Sequence, residues 1–522
     1  MKFNQQKNMR KNILYSIGLL CAISSTVAAQ KNAQESEEQR RIKAEHAQIG
    51  ITDDVKSNYK RTTNPDAQWF PDAGFGMFIH WSISSVNEVD ISWAMITGAK
   101  LSVRNPKPTD EEMRKYMEDG DYLAFMDCKK TNSCLTPNQY WDLAKKFNPS
   151  SFDPDIWARQ AKEAGMTYVV LTARHHDGFA LWPSKYGDFN TKNYMGGRDL
   201  VKEYIAACRK YGLKVGLYYS GPDWHFDKDF HNFMYWRLKK DFPFLPELDA
   251  DLHPRTTQKT EAEKQQHYEN VAAYLTGQIE ELLTNYGKID MLWFDGTPDI
   301  PKDNSARNQL ITVERIHQLQ PGIVLSPRFY GYGDYESTEG DGALPTTVQS
   351  NWSELCSNIE TLGWGYCNSP VKTSAFELNQ LAVCRANNTN FLLNFGPDKN
   401  GVFCKDMADR LHDFAAWMKV NGSAIKGTHA LDPKEQASVP AVANEKHRYL
   451  FVMPKTKNDT IVAALPLPAE TITFKTSHPI KKIQLLGQKV DVKYEVNDGQ
   501  VTIHVPSEVR TINGDVLDVV LK

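Results

Sequence analysis

Residues 152–179 read FDPDIWARQAKEAGMTYVVLTARHHDGF. Asp153 and Pro154 supply an N-cap and a proline at the first helical position, and Gly165 supplies a C-cap eleven residues past Pro154. Tyr168-Val169-Val170-Leu171 follows at once, apolar at every position, as a strand covered on both faces must be. Beyond it stand Arg174, His175, His176 and Asp177. A capped helix, a glycine stop, a buried strand and a polar cluster at its end make one repeat of an α/β fold.

The same unit recurs in both directions. Asp199 caps a helix whose Leu200, Val201, Tyr204, Ile205 and Cys208 form one face; it ends at Gly212 and leads to the strand Val215–Tyr219. Val271, Tyr274, Leu275, Ile279, Leu282 and Leu283 form another face, ending at Gly287 before the run Ile289–Phe294. Similar runs lie at Gly76–Trp81, Ile323–Leu325 and Phe391–Phe395. Repetition over roughly 350 residues predicts an α/β barrel or a doubly wound sheet. The stretches 97–140 and 225–262 break the rhythm and read as loops elaborating one rim. From about Lys426 short alternating segments take over, with a hairpin signal at Asn497-Asp498-Gly499, and predict a β-sandwich over 430–522.

The N-terminus reads as an address. Lys7, Arg10 and Lys11 precede an apolar run from Ile13 to Ile23, and Val27-x-Ala29 suits signal peptidase, so residues 1–29 are expected to be a signal peptide that sends the chain to the periplasm or outside the cell. Leu20, before Cys21, is too large for the usual lipobox. Residues 30–64 are polar and predict a solvated leader with some helix, and no segment is long and apolar enough for a membrane span. A net charge of −3 with no basic block gives nucleic acid no footprint. Of eight Cys, Cys21 lies in the expected signal peptide, and among the other seven Cys128 and Cys134 bracket a short polar loop and could pair in an oxidising compartment. No Cys/His spacing fits zinc, and His175 and His176, as neighbours on a strand, would point to opposite faces, which is poor for sharing a metal.

Polar residues gather at four strand ends: His80-Trp81, Arg174–Asp177, Tyr218-Tyr219-Ser220 with Asp223, and Trp293-Phe294-Asp295-Gly296. In an α/β barrel these ends converge on the active site. The stretches 69–81 (WFPDAGFGMFIHW), 152–186, 198–220, 289–296 (IDMLWFDG) and 390–401 (NFLLNFGPDKNG) resemble glycoside hydrolase family 29, the retaining α-L-fucosidases. The resemblance covers most of residues 65–425 and implies a (β/α)8-like barrel followed by the sandwich.

It also implies roles. Asp295, ending the W-x-D strand, matches the nucleophile, a carboxylate able to attack an anomeric carbon and leave again. His80, His175, His176, Tyr219, Trp293 and Arg328 match sugar-binding residues, with Trp364 against the apolar face and C6 methyl of a 6-deoxy sugar, and Asp177 orienting the histidines. For the acid/base, Glu354 in Glu354-Leu355-Cys356 before Trp364-Gly365-Tyr366 is the choice, with Glu339 and Glu336 as rivals. One departure stands out: where many members carry Glu-Trp this chain has Ser92-Trp93, and His-Trp-Gly is His80-Trp81-Ser82. The expected function is release of terminal α-L-fucose from extracytoplasmic oligosaccharides or glycoconjugates without metal or organic cofactor. The alternatives are a related activity, such as on β-D-galactosides, and a carbohydrate-binding pseudo-enzyme.

Overall fold

The structure, a computed structural model, describes residues 36–51, 58–126, 134–328, 332–457, 459–461, 465–488, 490 and 492–522. Residues 1–29, expected to be a signal peptide, and Cys128 lie outside the described residues. Cys134 is disulfide-bonded.

Strands β1 (Phe75–Ile79), β2 (Tyr168–Arg174), β3 (Lys214–Ser220), β4 (Met291–Asp295), β5 (Val324–Leu325), β6 (Glu336–Glu339), β7 (Ser353–Asn358) and β8 (Thr389–Phe395) form one eight-stranded sheet. All its pairs are parallel. The order is β5-β4-β3-β2-β1-β8-β7-β6. Apart from β5 and β6, each strand therefore neighbours the next in sequence and β8 returns to β1, so the sheet curls into a barrel with its seam between β5 and β6. Asp334 spans the seam: its N–H donates to Leu325 O at 2.9 Å and its Oδ2 accepts from Leu325 N at 2.8 Å. Strands β6 and β7 escaped the sequence reading because ESTE and SELCSN contain no apolar run.

Period-two alternation sorts the barrel side chains. Phe78, Tyr168, Val170, Tyr218, Met291, Trp293 and Leu392 fill the inside. Met77, Ile79, Val169, Leu171, Leu217, Tyr219, Leu292 and Phe294 face the outer helices. With α1 the N-terminal helix Glu37–Gln48, the outer layer includes α2 (Pro154–Glu163), α3 (Leu200–Lys210), α4 (Glu261–Thr284), α5 (Val313–Leu319), α6 (Ser374–Ala386) and α7 (Lys405–Asn421). Their starts are the ones the residues dictate. Asp153 accepts from Asp155 N, Asp199 accepts from Lys202 N, and Thr260 with Glu263 closes a capping box. Each such cap is worth about 1 kcal/mol.

The expectation of a solvated leader fails for α1. Ser36 caps the helix, and Ile42, Ala44 and Glu45 are buried, as is Ile49 just past its end. A narrow apolar stripe in a polar stretch was enough to dock it. The two rim insertions are tied together rather than separate: Thr97 N donates to Phe233 O and Tyr235 N donates to Thr97 O, both at 3.0 Å. At the C-terminus, a five-stranded and a four-stranded antiparallel sheet enclose Leu450, Ile472, Phe474, Ile503 and Leu517. Val442, Tyr449, Phe451 and Val516 pack against the barrel's outer core, and Trp417 Nε1 of α7 donates to Gly514 O at 2.9 Å.

Candidate active site

Asp295 ends β4 at the C-terminal mouth of the barrel. Gly296 follows with φ +74°, and a Cβ there would come within 2.8 Å of Ile49 O, so the turn that presents Asp295 needs glycine. Tyr218 donates its OH to Asp295 Oδ2 at 2.8 Å, and Arg328 Nη1 donates to Oδ1 at 3.1 Å. The other arm of the same guanidinium, Nη2, donates to Glu339 Oε2 at 2.6 Å. Glu339 also meets His46 Nε2 of α1 at 2.9 Å. Burial pushes the Glu339 carboxyl up, but the charge of Arg328 and then of His46 outweighs it and holds the group below the ordinary glutamate range. Two carboxylates joined by one guanidinium stand at the floor of a pocket that His80, His175, Trp293 and Trp364 also line. The side chains leave about 20 Å³ free beside Asp295, room for a water.

The histidines are buried and neutral. Burial lowers the His80 ring to about 4, and burial together with nearby cationic groups holds His175 and His176 well below the usual imidazole value. Asn394 uses its amide N–H groups on Asn358 and Trp364 O, so its Oδ1 accepts from His80 Nδ1 at 2.8 Å and leaves His80 Nε2 as an acceptor. Ser220 gives its hydroxyl proton to Pro222 O, so His176 Nδ1 donates to Ser220 Oγ at 2.5 Å. Among the described residues His176 Nε2 has no hydrogen-bond partner, and it lies 3.7 Å from Asp295 Oδ2. His80 lines the pocket, where its lone pair suits the hydroxyl proton of a sugar, whereas His176 is not among the residues that line it.

The strand argument about the histidine pair does not hold, because β2 ends at Arg174 and both residues sit in the turn beyond it. Their rings lie 4.1 Å apart, and ligand atoms of His175, His176 and Asp295 fall within 4.8 Å of one another. A divalent ion there would compete with the Arg328 cation already on the Asp295 carboxylate, which disfavours metal.

Two expected placements are corrected. Tyr219 faces out of the barrel, its ring against Arg174 and its OH donating to Gln278 Oε1 at 3.0 Å. Alternation puts Tyr218 inside instead, stacked on Trp293 with centroids 5.5 Å apart. Glu354 does not face the cleft either. It lies near the start of β7, two residues below pocket-lining Cys356, and accepts from Tyr168 OH at 2.7 Å and Trp293 Nε1 at 2.9 Å inside the barrel. Burial raises its carboxyl. Glu336 is turned toward Asn351, which donates to it at 2.7 Å. Asp177, expected to orient the histidines, accepts instead from Ser82 Oγ, Tyr140 OH and Phe179 N. Ser92 is buried behind the pocket, hydrogen-bonded to His175 Nδ1 at 2.6 Å. Glu45, His46 and Trp93 line the pocket without having been foreseen. Only Trp93 had a local signal, its neighbour Ser92.

Paired carboxylates at the mouth of a parallel barrel are the equipment of a glycoside hydrolase. The chain belongs to the α-L-fucosidase family, whose model, described as Alpha-L-fucosidase, matches residues 42–423. It is 26% identical over 448 residues to the tissue alpha-L-fucosidase of Mus musculus, covering 83% of this chain and 86% of that one. The tissue alpha-L-fucosidase of Homo sapiens is likewise 26% identical, over 83% of this chain and 84% of its own. Among solved structures, alpha-L-fucosidase isoenzyme 1 from Paenibacillus thiaminolyticus superposes with a TM-score of 0.64 at 25% identity, covering 88% of this chain and 99% of that one.

Proposed function

We propose that this hydrolase releases terminal α-L-fucose from glycans outside the cytoplasm, with Asp295 as nucleophile and Glu339 as acid/base. The observation that carries the reading is the Asp295–Arg328–Glu339 bridge inside one pocket. A retaining pair needs its carboxyl groups about 5–5.5 Å apart so that one attacks C1 directly. A single guanidinium contacting both keeps them close. Tyr218 and Arg328 hold the Asp295 carboxyl in place at a rigid strand end. Glu339 is an anion in the empty pocket, which suits activation of water in the second step. To protonate the leaving oxygen in the first step it must take up a proton, so the incoming sugar has to part it from Arg328.

The acceptor nitrogen of His80 beside the faces of Trp293 and Trp364 fits a ring that is polar on one side and carries a methyl group. Ser92, where the resemblance implies Glu, contacts His175 rather than the pocket, and the pocket has a carboxylate from elsewhere in Glu45. Nothing therefore favours the β-galactoside alternative. Export is supported by the N-terminal charge-apolar-small pattern and by the disulfide at Cys134, which persists in oxidising compartments. Turnover of 4-nitrophenyl α-L-fucoside and β-D-galactoside side by side, with NMR of the first anomer released, is the test. Hydrolysis of the fucoside with retention is expected; inversion or galactoside preference would overturn the reading.

A further inference from the structure

A cavity of about 690 Å³ opens in the C-terminal sandwich and shares no residue with the pocket around Asp295. Its size is that of a ligand site. The strand Lys493–Asn497 lies at the free edge of the four-stranded sheet and pairs with Gln500–Val505. Tyr494 stands opposite Ile503 and Val496 opposite Val501, so both carry the inward parity of the sandwich core. Yet Val501 and Ile503 are fully buried, whereas Tyr494 is 39% exposed and Val496 54%. The facing sheet therefore stops short of the edge strand, and the inner face it leaves open is one wall of the cavity. Another wall is the link between the two sheets, Thr476 to Ile480. That link is tied down. Glu435 accepts from Arg448 Nε at 2.6 Å and from Thr476 Oγ1 at 2.8 Å, His478 N donates to Thr476 Oγ1 at 3.1 Å, and Lys522 N donates to Pro479 O at 2.9 Å.

We propose that this cleft binds an acidic glycan, a pyranose ring lying on Tyr494 and its sulfate or carboxylate groups on Lys434, Lys475 and Lys522. An exposed tyrosine offers a flat apolar face with a polar tip, and Val496 and Ile480 extend the apolar surface beside it. The three lysines line the cavity, are exposed, and form no ion pair among the described residues. Asp498 is the one acidic side chain in the lining, and the cleft stays net positive even with a terminal carboxylate on Lys522 counted. The whole chain carries a net charge of −3, so this cluster of cations is a local feature that draws anions to one place. Ser477 and His478, exposed at the link, give hydrogen bonds to ring hydroxyls. The choice of a glycan over another flat anion follows from the fucosidase family of the barrel. Binding here would hold the enzyme on the polymer that carries its substrate, and it is measured without catalysis, apart from the roles assigned to Asp295 and Glu339.

The test is affinity electrophoresis of the whole protein in gels holding chondroitin sulfate, polygalacturonate or neutral dextran, with Kd taken from mobility against polymer concentration. Retardation by an acidic polymer and none by dextran is expected; retardation by chondroitin sulfate alone assigns the cleft to sulfate, by polygalacturonate alone to carboxylate. Tyr494→Ala and Lys475→Glu should each weaken binding at least fivefold. Both positions are exposed, and an unchanged Tm shows that the variants are folded; Lys434→Glu gives the same reading should Lys475→Glu not fold. Binding lost with Lys475→Glu but untouched by Tyr494→Ala would reduce the cleft to a patch of charge and overturn the proposal. So would the absence of retardation, retardation unchanged in every variant, or equal retardation by a single-stranded oligonucleotide.

Discussion

His46 Nε2 lies 2.9 Å from Glu339 Oε2 although 293 positions separate the two residues. An N-terminal helix thereby reaches the acid/base candidate and, with Arg328, sets its charge. Removing His46 takes away one of the groups that favour the Glu339 carboxylate, while Arg328, Asp295 and Glu45 remain around it. Glu339 must be protonated to act on the leaving oxygen, so His46→Ala should move the falling, alkaline limb of the kcat/KM profile to higher pH. His46→Gln should move it less. A limb that stays in place would separate His46 from the titration.

Asp295→Ala removes the covalent route. Hydrolysis should fall by more than ~10⁴-fold, beyond what proton transfer alone supplies, and azide should restore part of the rate as an inverted glycosyl azide. Retention of a tenth of the activity would take Asp295 out of the mechanism.

Glu339 and Glu354 are told apart by leaving group. Glu339→Ala should slow substrates with poor leaving groups by about 10²–10⁴-fold and aryl fucosides much less in their first step. Glu354→Ala strands the buried Trp293 N–H and Tyr168 OH, at a cost of about 1–3 kcal/mol each, so its effect should appear as a lower Tm with unaltered leaving-group dependence. A leaving-group effect from Glu354 would reverse the assignment.

Tyr218→Phe removes the hydrogen bond to Asp295 Oδ2. Such a bond to a charged group is worth about 1.5–3 kcal/mol, and its loss should cut kcat/KM roughly tenfold or more. Tyr219→Phe loses only the outward bond to Gln278 and should leave kcat/KM unchanged. Equal effects would contradict the inside–outside division of β3.

The pocket histidines make stability depend on pH. His80 is neutral when folded down to about 4, whereas an unfolded histidine titrates near 6.5. The unfolded chain thus binds more protons between those values, and stability falls as pH drops through that window. His80 alone should contribute about 2 kcal/mol of loss between pH 7 and 5, and His80→Asn should flatten the slope of Tm against pH over that range. An unchanged slope would mean that His80 is charged in the folded protein.

The sequence by itself determined the helix caps at Asp153 and Asp199, the buried strands at Val169–Leu171 and Met291–Phe294, and the aspartate at the end of the latter. These are local matters: a cap needs an acceptor two or three residues before the donor, and a buried strand needs unbroken apolar residues. Even the choice of Tyr218 over Tyr219 was within reach, since alternation from Trp293 and Phe78 sets which residue of a strand looks inward. What only the tertiary structure decided was depth and partnership. Glu354 and Glu339 belong to neighbouring strands with no apolar signal, and their heights in the barrel follow from register, Ser337 opposite Glu354 and Glu339 opposite Cys356, which places Glu339 at the mouth and Glu354 below it. The contact of α1 with Glu339 lay further still from the sequence, because a polar helix with one apolar stripe carries no record of the surface that will bury it.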